Sequence, residues 1–542
     1  MKYNKLFFFF CFCVLAGYLI YGIFYLYIPP VKGDDMWEIS RAHFLLKYHH
    51  QGDPMFPVEI SPYMNSLFSA TGGSKYFGII KTASQAFFIG VLPIDDIAAF
   101  RVTSFAWSLL VCVLTFWFGR KIGLHKIVSF VTVVLLIMVP EFFSQLHSQR
   151  PELMITASYL LGLMFFIYAL EVQSSWKKKL LLLFSGAYGW LTVIAIHPNA
   201  IMIPATFGCI YLCREYKNFI SINTLLFAIS MIAGFLFFYH IMHAAATQAV
   251  LAGGGDLLDV TGPPILRRGV RVIISLPVIF YHKFSSVNMF ARPVSLLFFL
   301  ASCVSFYYLI KTKSVSALRQ YFDILIIGII TPIILLPLIS ASNGHYNIIV
   351  FPLCAVLIAA ALNEFSAGFS LKNKFINILA AMLCLVFLTN FPGVKKQQEY
   401  AENFQQIRSE LRNIIRDNNA TIIGSGLFYL DFKNQNYYSS SAMSPRIGKP
   451  AQSFENATMA VQAKFLIIDD GMVYRLNRVR QKPWMDDMFN FLDTKCELIS
   501  EIDSKYWLGH SEGTSAFPSQ WRYEGQDGNF LKKIKIYRVV NS

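Results

Sequence analysis

The stretch Lys32-Gly33-Asp34-Asp35-Met36-Trp37-Glu38 sets two carboxylates side by side just after an apolar run. Adjacent acids repel. In a partly dry setting one of them gains a raised pKa, which suits a general base. The plainer alternative is capping, because an Asp ahead of the apolar-periodic stretch 36–50 is a helix start signal. Asp35 could then cap and Asp34 do the chemistry; both readings stay open. In Gln149-Arg150-Pro151-Glu152, Arg150 and Glu152 sit where a membrane span begins. Ionisable groups are expensive there and usually face a cavity, and Pro151 fixes the turn that aims them. The alternative is an ion pair that only closes the helix end. His197-Pro198-Asn199 and His345-Tyr346 are two further turns that carry an imidazole. With Arg150 they form a set of cations and hydroxyls suited to a phosphate. Arg101, early in the second span, either joins that set or snorkels to the interface. Arg267 and Arg268 follow Gly253-Gly254-Gly255-Asp256. They would attract anionic headgroups, or they are a solvated basic turn. The glycine run lacks the Lys-Ser/Thr of a P-loop, so no ATP site is read from it.

A membrane body must position these residues. Of 542 residues 55% are hydrophobic, 50 are Phe and only 15% are charged, against about 25% charged in ordinary soluble domains. That composition excludes a disordered chain, a nucleic-acid-binding tail protein and a typical cytosolic enzyme. Eight of nine cysteines lie in apolar runs, which argues against a disulfide framework and a zinc site. Apolar runs predict spans at 6–28, 97–119, 127–140, 152–170, 180–196, 198–213, 219–243, 294–310, 322–340, 347–363 and 375–391, eleven in all.

The net charge of +15 is first a topology signal. With the N-terminus inside, Arg120-Lys121, Lys126, Lys177 to Lys179, Arg214, Lys217, Lys311, Lys313, Arg319, Lys372 and Lys374 all fall inside. The short outer loops hold Arg150 alone. Outside lie a first long loop (29–96), a second (244–293) and the polar tail. The expected division is a membrane body, 1–392, and an extracytoplasmic domain, 393–542. The tail shows a helical stretch at 397–416 and strand-like runs at 420–424, 464–469 and 533–540, which predict a small α/β or α+β domain. The expected setting is a multi-pass bacterial inner-membrane protein with this domain on the periplasmic side.

These residues carry a resemblance. An acidic pair just after the first span resembles the GT-C membrane glycosyltransferases, most closely the branch of protein mannosyltransferases and lipid A aminoarabinose transferases. Phe100-Arg101-Val102-Thr103-Ser104 with Phe118-Gly119-Arg120-Lys121 is similar to that branch's second span. Gln149-Arg150-Pro151-Glu152 is similar to the start of its fourth span, and His197-Pro198-Asn199-Ala200 to one of its turns. His345-Tyr346 followed by Pro352 is similar to its "RY---P" segment. The resemblance covers about residues 1–363. Two departures stand out: Asp34-Asp35 where the family usually has Asp-Glu, and His345 where it often has Arg or Lys, a weaker and pH-dependent anchor.

The resemblance implies a GT-C-like helical bundle and a donor sugar on a polyprenyl (dolichyl-type) monophosphate. The acceptor is a glycan, lipid or protein hydroxyl, and transfer inverts the anomeric centre. Asp34 is then the base, Asp35 or Glu152 orients the acceptor, and Arg150, His345 and Tyr346 surround the phosphate. Membrane lipids are partners and nucleic acid is not. The two acids could hold a divalent cation, though a lipid monophosphate donor does not oblige one. The rivals are a lipid-linked-sugar flippase and a non-catalytic assembly subunit. A transporter would keep its ionisable groups near the bilayer midplane and often show two related halves, neither of which the sequence displays.

Overall fold

The computed structural model describes residues 5–24, 26, 33–61, 78–147, 151–218, 220–251, 292–312, 316–339, 348–367, 387, 394–443, 449, 452–480, 482–506, 508, 530 and 532–540. Arg150, Arg267, Arg268, His345 and Tyr346 lie outside them, as does the expected span 375–391 apart from Phe387. The chain divides into two compact units. One holds 1–26, 101–239 and 263–392; the other holds 27–100, 240–262 and 393–542. The stretch 29–96, expected as the body's first outer loop, thus clusters with the tail.

The first unit is helical: α1 (Lys5–Phe24), the greater part of α4 (Asp96–Lys121), α5 (Lys126–Ile137), α6 (Pro140–Ser144), α7 (Glu152–Glu171), α8 (Ser175–Ala195), α9 (Met202–Glu215), the greater part of α10 (Ile222–Leu251), α11 (Arg292–Thr312), α12 (Phe322–Ile339) and α13 (Phe351–Ala367). Among the described residues four helices are long and apolar enough to cross a membrane: α4, α7, α8 and the 222–241 part of α10. Helices α5 and α6 add a fifth if their pair is one span, bent by 73° at Pro140, where a proline cannot continue the hydrogen-bond ladder. Shorter apolar helices cover several other expected spans, including 9–24, 297–312, 322–335 and 351–365. The chain is an integral membrane protein, and the described residues do not confirm the count of eleven spans.

Helix packing explains why these sequences sit together. The rings of Phe166 and Phe207 stack at 4.9 Å between α7 and α9. Tyr159 donates to the carbonyl of Gly328 at 2.6 Å, tying α7 to α12. Gly186 of α8 lets α10 come close, since a Cβ there would lie 1.9 Å from Ser230 Oγ. At the lysine-rich end of this unit the acids are paired. Lys121 meets Glu171 at 2.6 Å, Lys178 meets Glu215 at 3.1 Å, and Arg214 grips Asp323 with two bonds of 2.6 and 2.8 Å.

The second unit is α+β. Its sheet has strands β1 (Thr421–Gly424), β2 (Asn436–Ser439), β3 (Phe465–Asp469), β4 (Cys496–Asp503) and β5 (Lys533–Val539) in the order β2-β1-β3-β5-β4. The first strand runs parallel to both neighbours, while β5 is antiparallel to β3 and β4. All five residues of β3 are buried, as expected of a central strand covered on both faces. Helices α2 (Gly33–Tyr48), α3 (Ile79–Val91), α14 (Val394–Ile414), α15 (Phe454–Ala460), α16 (Asp470–Arg480) and α17 (Lys482–Lys495) complete it. The 397–416 helix and three of the strands answer the sequence expectation; β2 and β4 were not anticipated.

Helix α2 is the helix that the apolar-periodic stretch 36–50 announced. Met36 and Ile39 are buried in one apolar core with Ile422, Phe428 and Ile467 of the tail, and Ser439 N–H donates to Met55 C=O at 3.0 Å. Asp96 binds His43 Nε2 at 3.2 Å and Lys433 Nζ at 2.6 Å, joining α2, the start of α4 and the tail.

Candidate functional site

In the second unit, α2 begins at Gly33, so Asp34 and Asp35 both occupy its first turn. Acids in a first turn are favoured by the helix dipole.

Behind Asp34 runs a buried charged seam that the sequence reading did not single out. Glu38 accepts from Lys81 Nζ of α3 at 2.5 Å and meets Arg41 at 3.5 Å. Arg41 in turn donates to Gln51 Oε1 at 3.2 Å. Asp53 accepts from Trp37 Nε1, from Ser40 Oγ at 3.3 Å and from Met55 N–H at 3.1 Å. Burial pushes the Asp53 carboxyl up to about 7, against the opposing pull of Arg41, Met55 N–H, Trp37 and Ser40. The available signal was the i, i+4, i+7 spacing of Asp34, Glu38 and Arg41.

The first unit carries further buried polar residues, near the end of α1, at the start of α7 and where α4 enters the unit. Arg101 is 2% exposed, so it does not snorkel. Its Nη1 donates to the carbonyl of Leu26 at 2.7 Å, beyond the last turn of α1, as basic groups do at helix C-termini. Glu152 is 2% exposed in the first turn of α7, behind Pro151 as N-cap. Glu141 on α6 and Gln145 and His147 on the following 3₁₀ turn are buried too, and none of these was singled out. The His147 ring stands edge-on to Tyr21 at 5.2 Å, and the charge of Arg101 acts on it. Their sequence signal was faint, since Pro140-Glu141 read as the end of a span and not as a break.

His197 Nδ1 accepts from the Asn199 amide at 3.2 Å. That bond requires the unprotonated nitrogen and gives the ring a capping task at the 198–201 turn. The structure thus brings Arg101 near His147, on a unit that also carries Glu152 and His197. It places Asp34 and Asp35 on the other unit. Among the described residues no three His, Cys, Asp or Glu side chains group as a metal site.

Three buried acids of the tail have structural work. Asp431 accepts from Arg408 Nε at 2.9 and 3.0 Å. Asp469 takes the Met472 N–H at 2.7 Å, and Asp470 takes those of Leu508 and Lys532 at 3.1 Å each.

No family model matches the sequence, and no curated protein matches it. Among solved structures, the fold is similar to that of ArnT, a lipid A aminoarabinose transferase, from Cupriavidus metallidurans in the apo state. The TM-score is 0.55 at 8% identity, over 86% of this chain and 94% of that one. The chain has an ArnT-like fold. The same protein bound to undecaprenyl phosphate also matches, at TM-score 0.49 and 9% identity over 86% and 94%. So does the Archaeoglobus fulgidus oligosaccharyltransferase complex with Zn and sulfate, at 0.46 and 11% over 85% and 68%. The resemblance read from the sequence therefore extends to the ArnT-like backbone.

Proposed function

We propose that the protein is a membrane glycosyltransferase that moves a sugar from a polyprenyl monophosphate to an acceptor hydroxyl, with inversion. One observation carries the reading. In an ArnT-like bundle, the end opposite the paired lysine-rich one buries Arg101, Glu141, His147 and Glu152. Buried ionisable groups are costly in such a setting and persist where they do chemistry or hold charge.

Asp34 is the base. It takes the acceptor proton as the oxygen attacks C1 in line and the bond from C1 to the phosphate oxygen breaks. The transition state has oxocarbenium character, and the leaving phosphate needs cations more than a protonating acid. Arg150 and His345 supply that holding charge and Tyr346 a hydroxyl donor, with Arg101 in support and the neutral His197 ring offering only its second nitrogen as a donor. Asp35 or Glu152 orients the acceptor. Arg267 and Arg268 attract the anionic carrier. The choice of carrier follows what ArnT binds, and a water-poor cleft limits donor hydrolysis.

Membranes given a radiolabelled polyprenyl-phosphate sugar test the reading. Asp34→Asn should lower transfer by at least about 10², the span of a lost general base, with expression and donor binding kept. Full activity in that variant removes the assignment. Arg150→Ala should raise the donor requirement more than the acceptor requirement; equal effects point to a structural role.

A further inference from the structure

At the lysine-rich end of the first unit a cavity of about 510 Å³ opens where α8 and α10 begin and α9 ends. Its walls include Lys178, Glu215, Lys217, Ser221 and Asn223. Two ammonium groups face one carboxylate there, and Glu215 is already engaged by Lys178 at 3.1 Å. The first turn of α10 adds its partial positive charge. The wall therefore offers a net positive surface to an anion.

The rim is apolar. Ile220 is fully exposed and Tyr216 is exposed with it; Trp176, two residues before Lys178, is exposed too. From this rim Ile222, Leu225, Ile229, Ile232 and Leu236 run along α10, all exposed. Their spacing of three and four residues makes one continuous stripe. A free phosphate has no use for such a stripe, whereas an amphiphile does. Tyr216 and Trp176, each under a lysine ammonium at 5.7 Å, are the aromatic and basic anchors of a membrane interface.

We propose that this cavity seats the phosphate headgroup of an anionic glycerophospholipid, with an acyl chain lying along the α10 stripe. The ligand class is set by charge at the head and apolar length at the tail. The site is separate from the buried acids and imidazoles at the other end of the unit, and it stands or falls independently of the transferase reading.

The full-length protein, exchanged from nanodiscs of phosphatidylglycerol or phosphatidylcholine and examined by native mass spectrometry, tests this. One phosphatidylglycerol should stay bound through delipidation, and phosphatidylcholine should not. Ser221→Leu, which fills the cavity, should lower that retention. Lys217→Gln, an exposed change that spares the fold, should lower it by about fivefold, as expected for one interfacial lysine. Lys126→Gln, on an exposed basic residue elsewhere, should leave it unchanged. Millimolar inorganic phosphate should not displace the lipid. Equal retention of both lipids, equal loss with Lys126→Gln, unaltered retention in both cavity variants, or displacement by phosphate alone would each overturn the proposal.

Discussion

Asp53 shows how a single carboxylate can make one unit of a membrane protein sensitive to pH. Burial holds its folded pKa at about 7, above the ordinary aspartate value of 3.8. The folded state therefore keeps a proton that the unfolded chain has already lost. Stability from this group is fully present below the unfolded value and falls as pH rises toward 7, by about 1.4 kcal/mol per pH unit inside the window. Asp53→Asn should flatten that slope in thermal melts between pH 4 and 7; an unchanged slope would remove Asp53 as its source. Among residues, Glu152 was legible because an acid beside a proline at a span start has few ordinary uses. Arg101 was half legible: its depth was not, because only the fold shows Leu26 C=O as its partner. Lys81 was invisible, since nothing in its neighbourhood announces Glu38, 43 positions away.

At the level of elements, apolar periodicity predicted most helices of the bundle, and charge runs marked their lysine-rich ends. It predicted α2 as a helix but not what α2 packs against. An amphipathic helix reads the same whether its apolar face meets lipid or a sheet assembled from distant residues. Strands β2 and β4 were missed for a related reason. The burial of β2 alternates over only four residues and β4 is largely exposed, so neither has a strong two-residue pattern. The α8–α10 contact gives a test at this scale. Gly186→Ala would set a Cβ 1.9 Å from Ser230 Oγ and 3.0 Å from its Cβ. It should destabilise the bundle by about 1–3 kcal/mol, as overpacking does. Adding Ser230→Ala removes the nearer atom and should restore part of the melting temperature in detergent. No recovery would place the strain elsewhere.

For the whole molecule, the distribution of lysine and arginine predicts which side each unit faces. Ile220→Cys lies at the lysine-rich end, and Lys464→Cys lies on the tail. An impermeant maleimide added to intact spheroplasts should label the tail position and spare the other. The reverse pattern would invert the orientation and move the proposed transfer to the inner leaflet. The ArnT-like fold was accessible from short motifs in their right order, although the likeness runs at 8% identity. The division of the chain was harder to read, because a boundary guessed at 392 follows hydropathy, while packing joins 27–100 to 393–542.

That joining has a consequence for biosynthesis. Helix α2 leaves the ribosome early, with Met36, Ile39 and the Glu38–Lys81 pair destined for burial, yet the sheet that covers it is encoded hundreds of residues later. At roughly 5–20 residues per second the delay is on the order of tens of seconds. During that interval the nascent segment must be sheltered by the translocation machinery or a holdase, and any message truncated before β5 yields a polypeptide fit only for proteolysis.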